Sequence, residues 1–258
     1  MVGVHLPDHR PAEEHLRRYR AAVRSYATVP LAYPAVVTMP LHLDLLASGD
    51  IPVRPLGMVY LGFDVTATGS LNTTAPWDVA AWVRGTRHTK AGLEFDTMAE
   101  VTGQGPQGQD VTWRTRSVLL MRSRSASGPD ASAAPDVPDV EGPWEQQTRL
   151  AVAEDTGRTF ARLNGDFNPI HLHKLSAKPF GFPRAIAHGW WTLGRILALL
   201  DLDDPAAPAR ATISFRKPVL CPSTPLLLSR HDGGQTEFAL VRDDDPSTLL
   251  VGGRAGDS

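Results

Sequence analysis

Apolar residues alternate with polar or small ones through much of residues 57–122: Val59, Leu61, Phe63 and Val65, then Trp77, Val79, Ala81 and Val83, then Leu93, Phe95, Ala99 and Val101 with Glu94 and Asp96 between them. A period of two sends successive side chains to opposite faces, so these runs, with a fourth over 111–122, predict half-buried antiparallel strands. Gly, Asn, Pro and Lys fill the breaks, as turns require. Strands are expected again over 211–217, 225–231, 235–241 and 248–254. Two stretches switch to a buried helical pattern. Tyr33-Pro34-Ala35-Val36-Val37-Thr38-Met39-Pro40-Leu41 runs into Leu43, Leu45 and Leu46 and predicts a helix with Pro40 in its first turn, where a missing N–H costs little, stopped by Ser48-Gly49-Asp50. Ile186, Trp190, Leu193, Ile196, Leu197 and Leu200 share one face of a predicted helix over 182–200. Residues 144–152 read as a short strand or lead-in and 154–163 as a helix. Residues 8–26 mix acids and bases with few large apolar side chains and predict an exposed helix or a loosely held leader.

The order of elements repeats: a buried helix, then about four antiparallel strands, twice. At one constant offset Tyr33-Pro34 falls on Phe182-Pro183, Val37 on Ile186, Met39 on His188 and Pro40 on Gly189. An internal repeat is the expected reason. Between the halves, residues 123–142 are Ser, Ala, Pro and Asp with almost nothing large and apolar, which marks a linker. The expected organisation is residues 1–122, a linker 123–142, and residues 143–258.

Composition narrows the function. Lys and Arg number 26 against 28 Asp and Glu, so a net charge of −2 gives no bulk reason to expect nucleic acid or an anionic membrane. No apolar run has the length of a signal peptide or a membrane span, and the expectation is a soluble, cytoplasmic protein. The lone Cys221 cannot form an intramolecular disulfide and reads most simply as a small core residue.

The chemistry gathers in the second half. In Gly165-Asp166-Phe167-Asn168-Pro169-Ile170-His171, a carboxylate and an imidazole flank a Pro-containing turn and can converge on one small group. Ala187-His188-Gly189-Trp190 opens a helical pattern, so the N–H groups near Gly189 are expected at a helix N-terminus, aimed at developing negative charge. The first half has no Asp-x-Asn-Pro-x-His, and its matched Pro40 has no N–H to donate. The same residues admit plainer readings. Gly-Asp and Asn-Pro favour ordinary Asx turns. Asp166, His171, His173 and His188 are metal-ligand types, without the compact spacing of a metal motif. His42 and His88 read as surface or satisfied histidines, and Arg195 and Arg216-Lys217 as a solvated face or phosphate contacts. Gly103-Gln104-Gly105-Pro106-Gln107-Gly108 has the letters of a dinucleotide loop but leads into a strand, so it reads as a hairpin turn.

Gly157-Arg158-Thr159-Phe160-Ala161, Gly165-Asp166-Phe167-Asn168-Pro169-Ile170-His171, Phe180-Gly181-Phe182-Pro183-Arg184-Ala185-Ile186-Ala187-His188-Gly189 and Phe215-Arg216-Lys217-Pro218-Val219-Leu220 resemble the MaoC-like family of (R)-specific enoyl-CoA hydratases and 3-hydroxyacyl-thioester dehydratases in its double hotdog form. The resemblance implies an α+β fold, two modules that each wrap an antiparallel sheet around a long helix, and reversible syn addition of water to the 2,3 double bond of an enoyl thioester. It implies that Asp166 and His171 hold and activate the water, one as base and the other handling the α-carbon proton, while the Gly189 N–H polarises the thioester carbonyl. Asn168, His188, Trp190, Phe182 and Arg216 are expected at the substrate. No metal or bound cofactor is implied. The expected partner is an acyl-CoA or acyl-carrier-protein thioester, with a homodimer of pseudo-dimeric chains as the expected assembly. Asn164 and His173 depart from the residues usual at those places, both beside the site. A hotdog thioesterase and a non-catalytic acyl-thioester-binding module are the competing readings.

Overall fold

Each run of period-two alternation forms a strand, and the two helical runs become the helices those strands cover. The computed structural model describes residues 2–49, 51, 53, 56–123, 125–130, 132–136, 143–205 and 208–257. Strand β1 (Val2–His9) leads into helices α1 (Glu13–Val23) and α2 (Tyr33–Ala47), followed by β2 (Val59–Ala67), β3 (Trp77–Thr89), β4 (Gly92–Gln104) and β5 (Asp110–Arg122). The second half repeats the plan: β6 (Gln146–Arg149), α3 (Thr156–Asn164), the short helices α4 (Pro169–Leu172) and α5 (Lys174–Ala177), a single 3₁₀ turn (Lys178–Phe180) and α6 (Gly189–Leu199). Then come β7 (Ala209–Phe215), β8 (Leu226–Asp232), β9 (Gln235–Val241) and β10 (Leu249–Asp257).

All ten strands join one antiparallel sheet in the order β1-β3-β4-β5-β2-β7-β10-β9-β8-β6. From its two edges inward, the sheet reads β1-β3-β4-β5-β2 and β6-β8-β9-β10-β7. The two series are the same pattern, meeting where β2 pairs with β7 from Gly62↔Ser214 to Ala67↔Ala209. The expected repeat is therefore present in the topology; β6 and α3 fall within the expected 144–152 lead-in and close to the expected 154–163 helix, and the unexpected strand is β1. Helices α2 and α6 are apolar nearly all round, as buried helices are. Phe63, Trp77, Trp113, Ile196, Ile213 and Phe238 are among the fully enclosed residues packed against them.

Several local expectations need correction. Pro34, not Pro40, occupies the first turn of α2, and Pro40 lies in its interior. Proline there removes one helical hydrogen bond, a cost met by burial of almost every neighbour. Helix α1 is neither exposed nor loose. Leu16, Tyr19 and Val23 form a buried stripe, Trp191 Nε1–H donates to the Ala22 carbonyl at 2.9 Å, and Arg195, 9% exposed, donates to the Val23 carbonyl at 3.4 Å. Arg195 is thus a buried strut between α6 and α1 and not part of a solvated face. Gly105 and Gln109 close the β4–β5 hairpin, with Gly108 at φ 82°, so the dinucleotide-like letters are a turn.

Part of the predicted linker packs on the sheet. The Ala133 N–H donates to Glu94 Oε2 at 3.0 Å, and Arg116 donates to the Ala133 carbonyl at 3.2 Å and to Asp96 at 2.9 Å. These contacts add to the pairing that Arg87 gives both carboxylates within the sheet. Residues 124, 131 and 137–142 of that linker, and Asp50 of the predicted helix stop, lie outside the described residues. Cys221 is a core residue, and burial pushes its thiol up to about 11. Among the described residues no helix is long and apolar enough to cross a membrane.

Candidate active site

Gly165 ends α3 in the left-handed region at φ 78°, its N–H bonded to the Ala161 carbonyl at 2.9 Å. Glycine takes that conformation without penalty, and the sharp exit carries Asp166 away from the helix axis. Two side-chain turns fix the segment from Asp166 to Asn168. Asn164 Oδ1 accepts the Asp166 N–H at 3.0 Å, and Asp166 Oδ1 accepts the Asn168 N–H at 3.1 Å. The Asx-turn reading of these residues is therefore correct, and the turns are what aim the carboxylate. Pro169 starts α4, and His171 within it donates Nδ1–H to the Ile186 carbonyl at 2.8 Å. That bond sets the tautomer and leaves Nε2 with its lone pair, 3.8 Å from Asp166 Oδ2. Gly157 makes the approach possible, because a Cβ there would lie 2.0 Å from the His171 carbonyl oxygen.

His188 caps α6 and stacks on His171, with centroids 3.6 Å apart and planes at 24°. Its Nε2–H donates to the Asp166 carbonyl at 3.0 Å, and the same nitrogen lies 3.8 Å from Asp166 Oδ2. Burial is the first cause that lowers the pKa of both rings. For His171 the Asp166 charge and the Ile186 bond oppose it, whereas for His188 the neighbouring His171 adds to it and drives the value well below the ordinary 6.5. Both rings are neutral at neutral pH.

That neutrality sets an acid limit on stability. Since the folded values of His171, His188 and the buried His42 all lie below 6.5, the unfolded chain binds more protons between those values and 6.5. Stability from these groups is full above the unfolded value and is lost as pH falls below it, by up to about 1.4 kcal/mol per pH unit per histidine. The denaturant midpoint of unfolding is expected to fall steadily from about pH 7 to about pH 5. A midpoint independent of pH across that range would contradict the buried, neutral assignment.

The first intrahelical bond of α6 runs from the Thr192 N–H to the His188 carbonyl at 3.0 Å, so the Gly189 N–H stands outside the helical ladder at the positive end of the helix. A Cβ on Gly189 would meet Phe63 at 2.8 Å and Phe215 at 3.1 Å. Asp166, His171 and Gly189 all line one cavity of about 240 Å³. The first half supplies part of its other walls, through residues such as Met39, Leu43 and Leu46 of α2, Met58, and Tyr60 of β2, and the second half supplies the rest. Asn168 lines it too and ties the loop to the first half, its Oδ1 accepting the Gly57 N–H at 3.3 Å. Phe182 and Arg216 line the cavity as expected, and Lys217 and Arg122 join Arg216 as exposed cations on its wall.

Two expected substrate contacts are placed elsewhere. Trp190 is 3% exposed and stacks face to face on Phe63 at 3.9 Å, so it is core and not cavity wall. His188 sits behind Asp166, 3% exposed, and does not line the cavity. His42 is satisfied through Nε2, which bonds the Met98 carbonyl at 3.0 Å, but it also lines the cavity, which its sequence context did not suggest. Tyr60 was missed as well. Only its place in the alternating run signalled it, and burial followed by the Asp166 charge raises its pKa.

Ligand atoms of Asp166, His171 and His188 lie within 4.8 Å of one another. With His188 Nε2–H committed to a carbonyl, the set presents one imidazole lone pair and one carboxylate. That is short of the three or four protein ligands of a zinc site and suited to holding a water molecule by its two hydrogens.

Comparison with known proteins identifies the family and fold. A family model described as "MaoC like domain" matches residues 137–240. The chain is 30% identical over 239 residues to 3-hydroxyacyl-thioester dehydratase X of Mycobacterium tuberculosis, covering 89% of this chain and 83% of that one. The crystal structure of HtdX from the same organism superposes with a TM-score of 0.81 at 25% identity, over 98% of this chain and 99% of that one. Another M. tuberculosis protein, described as having a double hotdog fold, superposes with a TM-score of 0.54 at 15% identity, over 99% and 93%. Likeness along nearly the whole chain makes this protein a double hotdog member of the MaoC-like family.

Proposed function

We propose that the chain is a hydro-lyase that adds water reversibly to 2-enoyl thioesters and, in reverse, dehydrates (R)-3-hydroxyacyl thioesters. One observation carries the reading: His171 Nε2 and Asp166 Oδ2, both hydrogen-bond acceptors, face each other at 3.8 Å on the wall of an apolar cavity that also holds the N-terminus of α6. A water donating one hydrogen to each turns its lone pair toward the substrate. As the bond from water oxygen to the β-carbon forms, His171 takes a proton and the alkene electrons move onto the thioester oxygen. The Gly189 N–H stabilises that enolate oxygen, and the Asp166 carboxylate stabilises the imidazolium. The α-carbon then takes a proton back from His171, which completes the addition of H and OH and restores the neutral ring.

In this reading residues 1–122 shape the acyl tunnel and residues 143–258 supply the chemistry. Arg122, Arg216 and Lys217, exposed on the cavity wall, suit the phosphates of coenzyme A or of a carrier protein's phosphopantetheine arm. Arg216→Ala is expected to raise KM by roughly two- to tenfold with kcat little changed, the mark of binding shared by ground and transition states. Crotonyl-CoA and a longer enoyl-CoA are expected to lose enoyl absorbance without release of free thiol. Thiol release with the enoyl absorbance intact would mean a thioesterase, and binding without either change would mean a non-catalytic module.

A further inference from the structure

The apolar stripe of β4 has a polar gap. Alternation puts Thr97 on the same face as Phe95, Ala99 and Val101, and Thr97 lines the cavity while only 1% exposed. Among the described residues its hydroxyl has no hydrogen-bond partner. A second polar group comes from α2, the helix packed over this strand. His42, 5% exposed and also a wall residue, gives its Nε2–H to the Met98 carbonyl at 3.0 Å, which leaves Nδ1 as the open acceptor of the ring. Burial lowers the pKa of His42, so that lone pair is free at neutral pH. Of the other wall residues, Leu43, Leu46 and Leu119 offer no hydrogen bonds, and Met39 Sδ already accepts the Tyr60 hydroxyl at 3.7 Å. A plain alkyl chain filling this space would seal a donor and an acceptor away from water with nothing to bond.

We propose that Thr97 and His42 form a polar subsite in the acyl tunnel that takes a hydroxyl carried on the acyl chain beyond its reacting carbons. A hydroxyl meets both groups at once, accepting from Thr97 Oγ1–H and donating to His42 Nδ1; a keto oxygen would meet only the first. The preferred substrate is then an enoyl thioester with a hydroxylated chain. This rests on the hydratase reading and refines its substrate class.

The test uses pairs of 2-enoyl-CoA thioesters of matched length, one member plain and the other hydroxylated at the chain end. At the length that brings the hydroxyl to Thr97, wild type is expected to favour the hydroxylated member in kcat/KM by at least about tenfold, because a site built to bond a hydroxyl discriminates strongly against its absence. In Thr97→Val, which keeps the shape and deletes the hydroxyl, that ratio is expected to fall to about one. A wild-type ratio near one at every length, the result if a trapped water fills the subsite, overturns the proposal, as does an unchanged ratio in Thr97→Val. Failure to hydrate either member would count against the hydratase reading alone. Calorimetric Kd values for the same pairs would then decide the subsite, again by whether the hydroxylated member binds about tenfold tighter or equally.

Discussion

Asp166→Asn is expected to lower kcat for enoyl-thioester hydration by about 10²–10⁴, the range for loss of a positioned acid–base partner, while leaving the loop folded. Asparagine can still accept the Asn168 N–H through Oδ1, the bond that Asp166 makes at 3.1 Å, so the turn survives. What disappears is the negative charge 3.8 Å from Nε2 of both His171 and His188. That charge is the leading influence raising the pKa of His171 against its burial. Its removal lowers the basicity of His171 further and leaves the imidazolium formed during proton transfer without its counter-ion. The acid limb of the pH–kcat profile should therefore move to lower pH as the plateau drops. A purely structural defect would lower active-enzyme concentration without moving that limb. The two groups act as one unit, so Asp166→Asn combined with His171→Ala should lose little more than the worse single variant. Wild-type rates in Asp166→Asn on every chain length would end the mechanism.

The sequence made the chemistry more legible than the frame that supports it. Strands β2 and β3 announced themselves because burial on one side imposes the period of two, whereas β9, buried on both faces, carries an unbroken apolar run from Phe238 to Val241. The candidate site was legible because Gly165, Asp166, Asn168 and Pro169 are turn formers whose local preferences agree with the turns found there. The elements missed were those whose burial is narrow. Helix α1 carries its signal in Leu16, Tyr19 and Val23 alone, correctly spaced but outnumbered by charges on the solvent face. Strand β1 is an edge with mostly exposed side chains, so it shows no alternation. The start of α6 was blurred for a different reason. Phe182, Ile186 and Trp190 keep helical spacing, yet residues 185–187 are tied into non-helical backbone contacts, with Ile186 N–H on the Ile170 carbonyl at 3.0 Å and Ala187 N–H on the Val219 carbonyl at 2.8 Å. Spacing could not distinguish a helical face from a loop held by tertiary hydrogen bonds. Trp190 was misplaced because an indole serves a core and a ligand wall equally well; its stacking on Phe63 decides the matter.

Gly189→Pro is expected to cost about 10²–10³ in kcat relative to Gly189→Ala, the scale for removal of one oxyanion donor. The comparison replaces one N–H by the proline ring Cδ, which removes the donor and occupies the place where the thioester oxygen would accept it. Position 189 is the first residue of α6, where proline is best tolerated because the first-turn N–H has no helical acceptor to lose. The preceding His188 has φ −67° and ψ 145°, the extended conformation that a residue before proline prefers. The backbone thus accepts proline without rearrangement. Either substitution brings a Cβ to about the same place, against Phe63 at 2.8 Å and Phe215 at 3.1 Å, so crowding of those rings enters both variants and largely cancels in their ratio. What remains is the N–H that alanine keeps and the ring Cδ that proline puts in its place. Because enolate charge develops only in the transition state, loss of the donor should appear in kcat, while the ring Cδ crowding the thioester oxygen should raise KM in Gly189→Pro alone. Equal kcat values would show that another donor holds the thioester oxygen. Proline already stands at the offset-matched position 40 of the first half, inside α2 and without an N–H to offer, and that half lines the cavity but has no Asp-x-Asn-Pro-x-His of its own. A repeat that keeps the fold in both halves while only one retains a free amide, a carboxylate and an imidazole at the helix start can give one half to chemistry and the other to the acyl chain.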